Sequence, residues 1–299
     1  MGVALRQLIS RNTKLYFKDK SMFLTSMITP MILFILFITF LRSVYEKSFI
    51  SFIPEGMSMD QSIVDAFTVS WLLSSIIAVS SVTVAFCSNI IMAQDKLNGT
   101  IHDIIVAPIK KSTLAISYYI SNVISTAVIC YAVMVLGFVY ISMVGWYFSV
   151  TDVLLIMLDI FICVIFGTAL AALVDNFLKT QGSVGAVSSL VSALYGFLCG
   201  AYMPISQFSE PIRNFVSILP GTYGTALLRS HYLNGVLSEV NKTMPDELVN
   251  GVRDSFDANL YFFGNRVEVW QMYTVLIFAV VVVLAAYIII NCFDKKKKI

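Results

Sequence analysis

Residues 269–293 read VWQMYTVLIFAVVVVLAAYIIINCF, a run without a single formal charge. At 1.5 Å per helical residue, about 20 apolar residues cross a hydrocarbon core of roughly 30 Å. Four further charge-free stretches are long enough to cross as well, namely 21–41, 66–94, 112–151 and 180–209. A sixth, 153–174, is interrupted by Asp159 alone. The whole chain is 58% hydrophobic and 13% charged, with a mean hydropathy of +0.83. A soluble domain carries about 25% charged residues. These values exclude a soluble fold and predict an all-α membrane protein with six transmembrane helices.

The expected spans are 21–41, 66–92, 113–142, 153–173, 183–202 and 269–292. With that assignment, one face of the membrane carries Arg6, Arg11, Lys14, Lys18, Lys20, Lys96, Lys110, Lys111, Lys179 and Lys295 to Lys298. The other carries Arg42, Lys47, Arg213, Arg229, Lys242, Arg253 and Arg266. The excess of Lys and Arg places both termini in the cytoplasm. Trp146, Tyr147 and Trp270 then fall at outer span ends, where interfacial aromatics belong. No cleavable leader is expected, because the basic start lacks a short apolar core with a small-residue cleavage site. The five cysteines lie in apolar segments without CxxC spacing, which favours packing over disulfides or metal ligation.

A single domain over 1–299 is expected, in four parts. Residues 1–20 place Leu5, Leu8, Ile9, Leu15 and Tyr16 on one helical face and Arg6, Ser10, Arg11, Lys14 and Lys18 on the other. That pattern predicts an amphipathic interfacial helix in contact with membrane lipids. Spans one to five occupy 21–202, and span six with a basic tail occupies 269–299. Between them, 203–268 is an outer segment. Its first part holds apolar pieces of about 12 residues between Pro204, Pro211, Pro220 and Gly221. They are too short to span, so a re-entrant hairpin is expected. The second part, 234–266, is polar and predicts a small outer cap.

The loop between spans two and three reads MAQDKLNGTIHDIIVAPIKKST. Gly99 breaks the chain, and a helix is expected from Thr100, whose hydroxyl can cap its first amides. Ile101, Ile104 and Ile105 share one face, with His102 and Asp103 on another. Such a stripe seats against either a soluble partner or the span ends.

Asp95-Lys96-Leu97-Asn98-Gly99-Thr100-Ile101-His102-Asp103-Ile104-Ile105-Val106-Ala107-Pro108 resembles the acidic-x-x-x-Gly-Thr-x-x-acidic-Leu-Leu-x-Ser-Pro stretch of type-2 ATP-binding-cassette (ABC) exporter permeases. The resemblance extends to Gly200-Ala201-Tyr202-Met203-Pro204 and to Leu219-Pro220-Gly221-Thr222-Tyr223. These are similar to the family's Gly-x-x-x-Pro and Asn-Pro-x-Thr-Tyr patterns. Leu97, His102, Ala107 and Leu219 depart from the residues common in the family. The resemblance implies an ATPase-coupling segment at Asp95, Gly99, Thr100, Ile101, Asp103, Ile104, Ile105 and Pro108. It also implies a nucleotide-binding subunit, a second permease chain, a bacterial plasma membrane, and outward transport of a drug, peptide, lipid or lipid-linked polysaccharide. Pro204, Pro220, Gly221 and Tyr223 would belong to the re-entrant hairpin.

No G-x-x-x-x-G-K-[ST] run is present, so ATP and Mg are expected on the partner subunit and no cofactor on this chain. No HExxH or G-x-S-x-G motif and no nucleic-acid signature occurs, and neither a metal site nor a catalytic residue is expected. Intramembrane polar residues leave alternatives open. Asp159 would either face cargo or a partner, or make a structural hydrogen bond. Ser74, Ser81 and Ser88 repeat every seven residues and either line a pathway or pack helices. Gly196 and Gly200 permit close helix approach, between subunits or within one. An ion-coupled transporter or a membrane enzyme is the rival reading. The first would need a counterpart to Asp159 in spans one to three, and the second would need ionisable groups gathered at one depth.

Overall fold

The computed structural model describes residues 2–54, 59–107, 109–178 and 180–293. Helix α1 (Gly2–Lys18) buries Leu8, Asn12 and Tyr16, one row at four-residue spacing. Asn12 thus joins the inward face, while Leu15 is exposed. The Asp19 carboxylate accepts from the Ser21 and Met22 amides and so starts α2 (Lys20–Leu36), an N-cap that satisfies two of the free donors of the first turn. A π turn at Phe37–Leu41 carries α2 into α3 (Arg42–Ile50) without a break. The rod continues past the expected end of span one because Arg42 finds Asp65 at 2.9 Å.

Helices α4 (Gln61–Ser88) and α5 (Ile90–Leu97) form a second rod. It is the centre of the molecule: its apolar window is 83% buried, against 22% for Lys20–Ile50. A helix apolar on every side belongs inside a bundle, and α4 is surrounded by α2, the long helices α7 (Lys111–Val144) and α8 (Val150–Asn176), and two later helices. Between α5 and α7 lies the short α6 (Thr100–Val106). A capping box between Ser149 and Asp152 opens α8. Gly167 lets α8 cross α4 closely, because a Cβ there would collide with the Ser81 carbonyl.

Helix α9 (Gln181–Leu198) is shorter. After it come a 3-10 turn (Ile205–Gln207), α10 (Glu210–Ser217), α11 (Pro220–Val240) and α12 (Asp246–Ser255). Strands β1 (Leu260–Phe262) and β2 (Asn265–Val267) pair antiparallel with Leu260 opposite Val267, and α13 (Val269–Phe293) ends the described chain. The fold is mostly helical, and the small hairpin qualifies the expectation of an all-α chain. Among the described residues, five helices are long and apolar enough to cross a membrane: Lys20–Ile50, Gln61–Leu97, Lys111–Val144, Val150–Asn176 and Val269–Asn291, with Gly182–Leu198 a shorter apolar helix. The segment after α10 also differs from the expected 12-residue pieces. Pro220 stands in the first turn of α11, where its missing N–H costs nothing, and a 21-residue helix follows. Residues 234–240 belong to this helix and not to the cap.

Candidate functional site

Three places gather the polar residues singled out above. The first is the elbow after α5. Gly99 has φ +79°, a left-handed conformation that costs glycine little. The His102 amide donates to the Gly99 carbonyl at 2.8 Å to start α6. The Thr100 hydroxyl makes no capping bond, because the N-cap position is Gly99 itself. Ile101, Ile104 and Ile105 are half-buried against the hydrophobic core. The outward face consists of Leu97, His102, Asp103 and Val106, the last 87% exposed. Pro108 lies outside the described residues.

Asp95 points the other way. Its two oxygens receive Arg11 Nη1 at 2.6 Å and Nη2 at 3.1 Å, and the Tyr118 hydroxyl donates to it at 2.6 Å. The hydrogen bonds to Asp95 push the Arg11 guanidinium further up from its ordinary range. The next residue, Lys96, donates from Nζ to the Asn176 and Leu178 carbonyls at the end of α8. The elbow is therefore clamped to α1 and α7 through one residue and to α8 through the next.

The second place is a cavity of about 1090 Å³ between the α2–α3 rod and α9. It runs from Asp19 and Gln94 at one end to Tyr45 and Met203 at the other. Ser74, Ser81 and Ser88 do not line it. The Ser74 hydroxyl donates to the Trp71 carbonyl at 2.7 Å and Ser81 to Ala78 at 2.8 Å, all within the buried α4. Ser88 instead faces Asn12 in a small buried polar pocket. Hydroxyls of Thr25, Thr29, Ser188, Ser189 and Ser192 line the large cavity.

The third place is the far end of the bundle. Gly200 has φ +72° and closes the turn after α9, with the Ala201 amide on the Gly196 carbonyl at 2.8 Å. The Tyr202 ring lies on Gly196, and Gly221 leaves room for the Tyr195 hydroxyl. Pro204 precedes the 3-10 turn, and Tyr223 is buried in α11. The Arg229 guanidinium, on α11, is 1% exposed. It donates to Asp257 at 3.1 Å, Ser75 at 3.1 Å and the Gly200 carbonyl at 2.5 Å, and sits 4.5 Å from the Trp71 ring centre. Asp257 also accepts from the Ile205 and Ser206 amides. Burial pushes its carboxyl up to about 6, against the pull of Arg229 and the two amides. Two residues along and on another face of α11, His231 Nδ1 meets Asp159 at 2.5 Å, and the Tyr273 hydroxyl donates to the other Asp159 oxygen at 2.5 Å. Asp159 is fully buried and joins α8, α11 and α13. Among the described residues no three His, Cys, Asp or Glu side chains are grouped to hold a metal.

Reading by spans alone puts Arg229 and His231 in an outer loop. The signal that points to their true place is an Arg and a His inside the otherwise apolar ALLRSHYL, a pattern that suits a buried helix with polar partners.

A family profile described as "ABC-2 family transporter protein" matches residues 47–290. The matched range holds the elbow, α9 and the whole far-end segment. Comparison with curated proteins finds no match.

Proposed function

The chain belongs to the ABC-2 family of transporter proteins, and from that membership we propose that it is the transmembrane subunit of an ATP-driven exporter. ATP and Mg are handled by a separate nucleotide-binding subunit. The observation that carries the coupling role is the elbow, which presents His102, Asp103 and Val106 outward on a short helix while Asp95 and Lys96 clamp its base. A push on α6 is delivered to α1, α7 and α8 together, a rigid-body input of the kind that switches transporters between states.

Six spans follow once Gly182–Leu198 and its turn are counted with the five longer helices. Both termini are cytoplasmic, α1 lies in the headgroup layer, and α10 with α11 forms a hairpin re-entering from outside. The long cavity beside α9 is bordered by exposed apolar side chains of α2 and α9, Ile28, Ile32, Leu36 and Phe197 among them, which supports a second permease chain closing it and a cargo path between them. The protein is then a multi-pass component of a bacterial plasma membrane.

Affinity purification of the full chain from its own membranes tests the reading. ATP hydrolysis sensitive to vanadate should co-elute, and Val106→Glu should remove that activity while the permease still elutes as a folded species. Undiminished co-elution with Glu at position 106 would refute the docking surface.

A further inference from the structure

The cavity between α2–α3 and α9 has a charge pattern that selects its cargo. From Ser21 to Tyr45 the lining rod rises about 36 Å at 1.5 Å per residue, so the groove runs the full depth of a hydrocarbon core. Among the described residues that line it, Asp19 is the one with a formal charge, and no Lys or Arg faces the groove. Lys18 and Lys20 flank Asp19 in sequence without lining the groove. One Asp19 oxygen accepts the Ser21 and Met22 amides at 2.9 and 3.1 Å; among the described residues nothing donates to the other. Above Asp19 the polar lining is hydroxyl: the side chains of Thr25, Thr29, Ser188, Ser189 and Ser192 have no hydrogen-bond partner among the described residues. Helical Ser and Thr usually return their hydroxyl to a carbonyl one turn back, so unpaired groups on two facing helices suit an external partner.

We propose that this groove takes an elongated amphipathic molecule that is uncharged or cationic, with its cationic end at Asp19, and that it rejects phosphate-bearing cargo. The proposal rests on the transport reading above. An anion drawn into this passage would lose its hydration and meet no cation, a cost of several kcal/mol in an apolar medium. A cation entering at the Asp19 end gains a carboxylate that is already held in place by a helix N-terminus. Hydroxyls then offer both donors and acceptors to ether, amide or hydroxyl groups along the cargo.

Tetraphenylphosphonium and tetraphenylborate, matched in size and opposite in charge, provide the test. Binding of each to the full chain in nanodiscs is measured by radioligand retention, with empty nanodiscs as reference. The phosphonium should bind at least tenfold more tightly. Asp19→Asn, which keeps an N-cap side chain and removes the charge, should bring the two within threefold. Ser192→Phe, which fills the groove, should abolish both. Borate binding equal to or tighter than phosphonium binding, with Ser192→Phe still abolishing it, would overturn the charge selection and leave the groove as the pathway. Phosphonium binding that survives Ser192→Phe, or no specific binding of either ion, would overturn the groove as a cargo site.

Discussion

Removing the Arg11 side chain should loosen α1 from the bundle by an amount the geometry fixes within a narrow range. Arg11→Ala deletes two charge-assisted hydrogen bonds to Asp95, at 2.6 and 3.1 Å. Such a fork contributes about 1.5–3 kcal/mol when well desolvated. The Arg11 side chain is 33% exposed, so solvent screening lowers the expected loss to about 1–1.5 kcal/mol. Asp95 keeps its bond from Tyr118 at 2.6 Å, which limits the penalty of a stranded carboxylate. Leu8 and Tyr16 still pack, so α1 should open transiently and not detach. Since 1.4 kcal/mol is a factor of about ten, trypsin should cut after Lys14 about tenfold faster in the variant, under conditions where opening is faster than cleavage. Quantitative mass spectrometry of the released peptide from protein in nanodiscs reads the rate. Arg11→Lys should recover only part of the protection, because an ammonium cannot span both oxygens. A cleavage rate within twofold of the parent for Arg11→Ala would refute the clamp.

Three further outcomes rest on the same packing. Ile104→Glu puts a charge into the half-buried face of α6 and should lower the yield of folded protein, in contrast to Val106→Glu on the exposed face; size-exclusion profiles of the two variants separate the cases. Asp159→Leu leaves His231 and the Tyr273 hydroxyl without their partner, and an unpaired buried polar group costs about 1–3 kcal/mol. Its unfolding midpoint in detergent should fall by several degrees while Asp159→Asn, whose oxygen can accept from Tyr273 and whose NH2 can donate to an unprotonated His231 Nδ1, falls less; equal midpoints would show that the cluster holds nothing together. Gly167→Ala drives a methyl into the Ser81 carbonyl and should cost about 1–3 kcal/mol by forcing α8 away from α4, measured by the same unfolding scan.

The positions of the long helices are legible because hydrocarbon sorts charge strictly, and a charge-free window reports it directly. Their ends are not. Lys20–Ile50 continues nine residues beyond the expected limit at Leu41, since a helix does not stop where the apolar window stops if Arg42 has Asp65 to meet. The serine heptad leaves a pathway and helix packing equally open on spacing alone. Periodicity says which residues share a face, and it cannot say whether that face is open. Large apolar residues occupy every face of α4, among them Leu72, Leu73, Ile76, Ile77, Val79 and Val82, and that spread is the sign of a buried helix.

Long-range pairing accounts for the rest. Asp159 meets a histidine 72 positions later and a tyrosine 114 positions later, separations that no local pattern encodes. Both Asp159–His231 and Arg229–Asp257 pass through α11, the helix that Pro220 and Gly221 disguise as two broken pieces. Treating those two residues as a start signal yields one apolar helix with an Arg and a His on it, and so a demand for two acidic partners. The segment at 95–108 carries a similar lesson within a single motif. Its two acids stand eight positions apart in one pattern, yet Asp95 is buried as the anchor for Arg11 and Tyr118 while Asp103 stands exposed on α6. Gly99 lies between them, and its left-handed turn is what sends one acid inward and the other out. A substitution at Asp95 should therefore be felt in the stability of α1, and one at Asp103 only where a partner docks.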